Sequence, residues 1–274
     1  ILREHSHRLQ AVKLLPGLRL NEYFCGESFY LNTLAECSAF VEGREACLLK
    51  APLSGSGKGL NWCKGIFTTF ISGWCARVAA SQGGVVGEPI YNKVEDFAME
   101  FYADGRGRVV FAGYSVFHTG GSGMYAGNDL LSDEKILQKL SAYVPQFIRL
   151  RTCLEEELSA LFGGFYHGYL GVDMMICHFP DEAPVYRIHP CVEINLRMNM
   201  GVVAWLLTDR YLAADAEGVF RIDYYPLAGQ ALEEHRQMSA SFPLSVENNR
   251  VCAGYLPLVP VTPQSRYRAF LLLT

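Results

Sequence analysis

No run of apolar residues approaches the ~18 that a membrane-spanning helix needs, and none of the segments reads as a signal peptide. The nine cysteines, scattered from Cys25 to Cys252, include no Cys-x-x-Cys pair and no zinc spacing. Their number is odd, and the chain is 274 residues long. This argues against a disulfide framework and for buried free thiols in a reducing, cytoplasmic setting. There is no basic stripe. The net charge is −4, with acid and base spread along the chain, so neither nucleic acid nor a membrane is an expected partner. Internal repeats and low-complexity tracts are absent. The chain begins "ILREHSHRLQ", without Met, and reads as a piece of a longer protein or one lacking its beginning.

Half of the residues are hydrophobic and 19% are charged, which suits a real core rather than disorder. The length fits one large or two modest domains. A helix is expected from His5 to Leu15, stopped by Pro16, and a second from Asn32 to Val41. Ala46–Leu49 reads as a short strand, the aromatic-rich stretch from Asn61 to Ala80 as a helix ended by Gly83-Gly84, and "VVGEPIY" as extended chain. Beyond Asp96 the pattern becomes two strands around a DGRG turn. A helix capped by Ser132 follows, is interrupted near Pro145 and resumes to about Phe162. Two further strands, "GYLGVDMMICHF" and "HPCVEINLRM", lie on either side of a Pro-containing connection.

The segment "KAPLSGSGKGL", Lys50 to Leu60, has the composition of a phosphate loop. It is not the P-loop of an NTPase. That motif needs Gly, four residues, Gly-Lys, then Ser or Thr; aligned on Gly57-Lys58, the first Gly falls at Pro52 and the hydroxyl at Gly59. An exposed Ser/Gly turn and a different nucleotide loop both remain open.

"VEINLRM" alternates. Side chains of a strand point to opposite faces in turn, so Glu193, Asn195 and Arg197 share one face, at steps of about 7 Å. Val192, Ile194, Leu196 and Met198 share the other, which packs. A carboxylate and an amide oxygen are hard ligands suited to Mg²⁺, and an arginine next in line can neutralise phosphate or carboxylate. Asp173 interrupts the apolar run "LGVDMMI". A carboxylate is seldom buried unless paired or metal-bound, although one that caps a neighbouring turn is the alternative.

Taken together, these motifs resemble the ATP-grasp superfamily over residues from about Arg8 to Gly201. They are a lysine at a strand end, a Ser/Gly loop, "VVGEP", a strand Asp, then Glu-x-Asn-x-Arg, in that order. The resemblance implies an α+β fold of two α+β subdomains with ATP in the cleft between them. Residues 1–16 would be a remnant helix of a preceding domain, 17–87 the lid and 88–274 the catalytic subdomain. It implies that Lys50 contacts the α/β-phosphates and that Ser54, Gly55, Ser56, Gly57, Lys58 and Gly59 fold over the phosphates. Arg8 stands where the family usually has a lysine. Glu88, Pro89, Ile90 and Tyr91 match the adenine-reading hinge, and Asp96 an acidic position near the ribose. Asp173, Glu193 and Asn195 match the Mg²⁺ ligands, and Arg197 the arginine beside the acyl-acceptor site. Two departures stand out. Asp173 and Glu193 are unusually far apart in sequence, and Gly171 replaces an arginine that many relatives carry two residues before the Asp.

The implied activity is a ligase that activates a carboxylic acid as an acyl-phosphate with ATP and passes it to an amine or thiol. An ATP-grasp kinase and a non-catalytic ATP-binding module are the alternatives, and a homodimer is possible. No cysteine has a catalytic signature. The Gly-rich loop "FHTGGSGMYAGN" carries His118, Tyr125 and Asn128 as candidate substrate contacts. Lys50 closes the run "ACLL", and its charge is expected to have no partner until nucleotide arrives.

Overall fold

The computed structural model describes every residue from 1 to 274 except Ser56, Gly121 and Ser122. The order is α1 (Leu2–His5), α2 (Leu9–Leu18), β1 (Phe29–Leu31), α3 (Leu34–Glu42), β2 (Cys47–Lys50), β3 (Leu60–Cys63), α4 (Thr69–Gln82) and β4 (Val85–Pro89). Then come β5 (Lys93–Asp104), β6 (Val109–Thr119), β7 (Tyr125–Leu130), α5 (Asp133–Ser141), α6 (Phe147–Phe162), β8 (His167–His178) and β9 (Tyr186–Asn195). The chain ends with α7 (Met200–Tyr211), β10 (Gly218–Tyr224), α8 (Gln230–Ser241), β11 (Ser245–Glu247), β12 (Arg250–Pro257) and β13 (Tyr267–Leu273).

Two antiparallel sheets carry the architecture. The small one has the order β1-β4-β2-β3, and the large one β11-β12-β13-β10-β7-β6-β5-β8-β9. The small sheet buries Leu49, Val85, Cys47 and Cys63 against Phe40, Val41 and Cys75 of α3 and α4. This is the lid. In the large sheet, Phe97, Met99 and Phe101 of β5 pack against Leu150, Leu154 and Leu158 of α6. The alternation of β5 leaves Ala98 and Glu100 on the opposite face, toward the cleft. Leu18 and Phe24, counted with the lid in the sequence, belong to this larger core.

Two expected helices are redrawn. The stretch 61–80 is not one helix. Its start forms β3, with Cys63 opposite Cys47 of β2. Gly65, at φ +64°, turns the chain, and Thr68 caps α4 through a bond from the Ile71 N–H at 3.3 Å. Nor does Pro16 end a helix begun at His5. The break falls instead at residues 6–8, and α2 runs through Pro16 because Leu14, Leu15 and Leu18 are all buried in the body. The lost N–H is thereby outweighed by burial of an apolar stripe. The break matters, because it turns Arg8 into the cleft. No helix among the described residues is long and apolar enough to cross a membrane.

Candidate functional site

The lid lies over the large sheet, and the cleft between them has two connected parts. The larger, about 460 Å³, is walled by Leu48, Trp62, Pro89, Ile90, Tyr91, Met175 and Val192, with Lys50, Glu88 and Asp96 at its edges. The smaller, about 170 Å³, is lined by Glu100, Ser115, Asn128, Asp173, Asn195, Arg197 and Asn199 among others. Glu193, Gly57 and Gly123 border both.

Lys50 ends β2 with its side chain in the cleft, and it already has a partner there. Its Nζ lies 2.5 Å from Glu88 Oε2, and both side chains are below 10% exposed. The expectation of an unpartnered lysine is therefore corrected. The Ser28 hydroxyl also donates to Glu88, at 3.2 Å. Pro89, Ile90 and Tyr91 line the apolar end, where the resemblance assigns adenine. Behind Tyr91, at 5.6 Å between ring centroids, lies His189. It is wholly buried, and among the described residues neither ring nitrogen has a hydrogen-bond partner. Burial, with Lys50 nearby, pushes its pKa down to about 3, so the ring is neutral. Asp96 accepts bonds from Thr119 at 2.8 Å and from Lys93.

Arg8 draws lid and body together. Its Nη1 donates to the Ala51 carbonyl and to Ser54 Oγ, each at 2.6 Å, and its Nη2 to Glu193 Oε2 at 2.9 Å. The planar fork of a guanidinium makes three such bonds possible, which a lysine could not match in geometry. The Ser/Gly loop then passes Arg197 at Gly55 and meets the body at Gly57. A Cβ at Gly57 would stand 2.8 Å from the Gly123 carbonyl, and φ is +71°, so only glycine fits. Lys58 is exposed and borders neither part of the cleft, so its charge is not aimed inward. Ser56 lies outside the described residues.

Asp173 and Glu193, twenty positions apart, stand directly opposite one another in the β8–β9 ladder. The long hairpin absorbs the sequence separation. Asn195 donates to Asp173 Oδ2 at 2.9 Å and accepts from Arg197 Nη1 at 2.8 Å. Of the four apolar residues expected to pack, Ile194 and Leu196 do. Val192 instead faces the cleft and Met198 is exposed. The ladder shifts register between Asp173 and Met175, so strict alternation fails at that bulge.

Burial raises the Asp173 pKa well above its usual range, and the nearby Glu193 and Glu100 charges raise it further. Like charges crowded out of water ask for a cation. Two carboxylates and an amide oxygen on one face suit Mg²⁺, a hard ion that completes its shell with phosphate and water. Among the described residues, no group of three or more His, Cys, Asp or Glu converges as a metal cluster.

Of the substrate candidates, Tyr125 and Asn128 border the smaller cavity. They bind each other, Tyr125 Oη to Asn128 Oδ1 at 2.5 Å, and Asn128 Nδ2 donates to the Val116 carbonyl at 3.0 Å. His118 turns to the opposite face of β6, where it lies 2.6 Å from Asp129. It is therefore removed from the substrate side.

Sequence reasoning missed Glu100. Its carboxyl is wholly buried, accepting from Ser115 Oγ at 2.9 Å and from Asn199 Nδ2 at 2.9 Å. Burial pushes its pKa up to about 7. Asn199 also caps α7, accepting from the Val202 N–H at 2.9 Å. A Cβ at Gly171 would overlap the Glu100 carboxylate and the Asn199 amide. An arginine at that position has no room here. The signal was present: Glu100 interrupts "FAMEFYA" as Asp173 interrupts "LGVDMMI".

No protein-family model matches the sequence, and no curated protein is similar enough in sequence to match. Solved structures do resemble the fold. The N5-carboxyaminoimidazole synthetase of Staphylococcus aureus in complex with ADP superposes with a TM-score of 0.56 at 11% identity, over 98% of this chain and 67% of that one. Biotin carboxylase of Campylobacter jejuni gives 0.56 at 11%, over 98% and 62%. The L-amino acid ligase of Bacillus licheniformis gives 0.51 at 14%, over 98% and 67%. The chain thus spans about two thirds of the length of these enzymes. Its fold is the ATP-grasp fold, two α+β units closing on a cleft.

Proposed function

We propose that the chain binds ATP with Mg²⁺ in the cleft. We further propose that it is a ligase joining a carboxylic acid to an amine or thiol through an acyl-phosphate, with release of ADP and phosphate. The observation that carries this reading is one juxtaposition. Asp173, Glu193 and Asn195 share the cleft lining with Gly57, and Glu193 and Asn195 also lie beside Ser54 and Gly55, with Arg8 bonded to both Ser54 and Glu193. Adenine takes the apolar end beside Pro89–Tyr91, and the phosphates run under the loop toward Arg8 and Lys50. Asp173, Glu193 and Asn195 would hold Mg²⁺, which when bound neutralises the phosphate oxygens and orients them.

An acid bound beside Arg197 then has its carboxylate next to the terminal phosphate. A carboxylate oxygen attacks the γ-phosphorus, and the bond to the bridging oxygen breaks with its electron pair leaving on ADP. The acceptor's nitrogen or sulfur attacks the acyl carbon, phosphate departs, and the acceptor loses a proton. Positioning and charge neutralisation carry this chemistry, and no protein nucleophile is required.

Calorimetry of the parent and Glu193→Gln tests the reading. The substitution should weaken Mg-ATP by roughly tenfold to hundredfold, the worth of one charge-assisted contact, and free ATP far less. Equal affinity with and without Mg²⁺, unchanged in the variant, would sink the metal assignment.

A further inference from the structure

The smaller cavity contains a charge that the proposed nucleotide chemistry does not use. Among the described residues, its charged lining comprises three carboxylates, Glu100, Asp173 and Glu193, and one cation, Arg197. Glu193 is bonded to Arg8 and, with Asp173 and Asn195, forms the proposed metal set. Among the described residues, Glu100 has only neutral donors, one on each oxygen. A carboxylate offers about four acceptor positions, so about half of its capacity is free.

Four elements contribute to holding this side chain. It projects from β5, Ser115 comes from β6, Gly171 from β8, and Asn199 caps α7. Gly171 and Gly201 are both required, because a Cβ at either would overlap the Glu100 carboxylate. The remaining neighbours include Ala98, Thr119, Tyr125 and Asn128, none of them a cation. A buried carboxylate without a counter-charge is costly and is pushed toward its neutral form; a cation supplied from outside would restore its charge inside the housing that the four elements build. A metal ion is disfavoured at Glu100 itself, because the groups bonded to it, Ser115 and the Asn199 amide nitrogen, donate hydrogens, and the Asn199 amide oxygen is taken up by the Val202 N–H. A plain monocarboxylate would set a second negative charge against Glu100 and leave it uncompensated.

We propose that the acid substrate carries an ammonium group, received by Glu100, while its carboxylate sits at Arg197. The cavity is thus polarised for a small zwitterion, and at about 170 Å³ it admits only a short chain. Glu100 is then a specificity-determining residue. This inference rests on the ligase reading above.

The test measures ADP release with Mg-ATP and hydroxylamine as a general acceptor. The acids are offered in matched pairs: L-alanine and β-alanine, each against propionate, and 4-aminobutyrate against butyrate. At least one ammonium-bearing acid should exceed its partner tenfold or more in kcat/KM. Glu100→Gln should abolish that preference while Mg-ATP still raises the Tm as in the parent. Glu100→Asp, which keeps the charge but withdraws it, should reduce the preference without abolishing it. The proposal is overturned if the members of every pair are used alike, if no ammonium-bearing acid is used, or if either folded variant keeps the full preference. Should neither variant fold, the parent's use of the pairs decides. Failure of Mg-ATP to raise the parent's Tm is the separate result that would sink the ligase reading itself.

Discussion

The two ends of the cleft follow opposite electrostatic rules. At the lid end, the buried cation Lys50 faces the buried anion Glu88, and the wholly buried His189 is neutral. At the body end, the wholly buried Glu100 and the half-buried Asp173 line one cavity with neutral hydrogen-bond donors for partners. Ion pairing makes the first end self-sufficient. Crowding of like charge makes the second depend on what binds there. Burial without a counter-charge pushes both carboxyls toward their neutral forms, and a cation bound there would restore their charge.

Breaking the self-sufficient end should have the largest effect. Lys50→Met strips the counter-charge from Glu88 and should cost about 3–5 kcal/mol, the usual penalty for half of a buried pair. Adding Glu88→Gln should restore much of it. Denaturant unfolding of the single and double variants is the measurement, and equal stability of parent and Lys50→Met would dissolve the contrast.

The crowded end should respond to pH. The folded pKa of Glu100, about 7, lies above the ordinary 4.5. Its contribution to stability is therefore present below pH 4.5 and is lost as pH rises through 7. Glu100→Gln should remove a loss on the order of 3 kcal/mol between those limits in the Mg²⁺-free protein. A parallel fall in parent and variant would reassign the effect.

His189 should show the opposite sign. Its folded pKa of about 3 lies below the ordinary 6.5, so the stability it contributes is present above pH 6.5 and is lost as pH falls toward 3. At pH 5 the loss is about 2 kcal/mol. His189→Phe, which replaces a ring without hydrogen bonds by an apolar one, should flatten that limb of the stability profile. Smallest of all, Lys58→Ala removes an exposed charge and should change stability by less than about 0.5 kcal/mol. Its Mg-ATP affinity should stay within a few fold. A tenfold loss would turn Lys58 inward during binding and sharpen the role of the loop.

What could be read in the sequence follows the range of the forces involved. The alternation of "VEINLRM" and the acid Asp173 inside an apolar run come from local pattern, and both led to the cleft. The pairing of Lys50 with Glu88 could not be read, because it joins β2 to β4 across 38 positions and depends on sheet register. The run 61–80 misled because aromatic residues suit both β3 and α4. The separators Gly65 and Thr68 were there to be weighed. Arg8 was placed by family likeness, while its three contacts follow from a helix break whose position is set by tertiary burial. Glu100 carries the same signal as Asp173, an acid inside an apolar run, but belongs to none of the motifs that make up the resemblance.

The β8–β9 hairpin has a consequence for how such a chain can drift over time. The rung shared by Asp173 and Glu193 fixes their facing, while the turn between the two strands lies at the far end of the ladder. Residues can be gained or lost in that turn, in step on both strands, without moving either carboxylate. A single residue added within one strand would send its acid to the other face. Chain separation between the two acids is therefore free to wander over evolutionary time, while rung number is not, and distant relatives are better compared rung by rung.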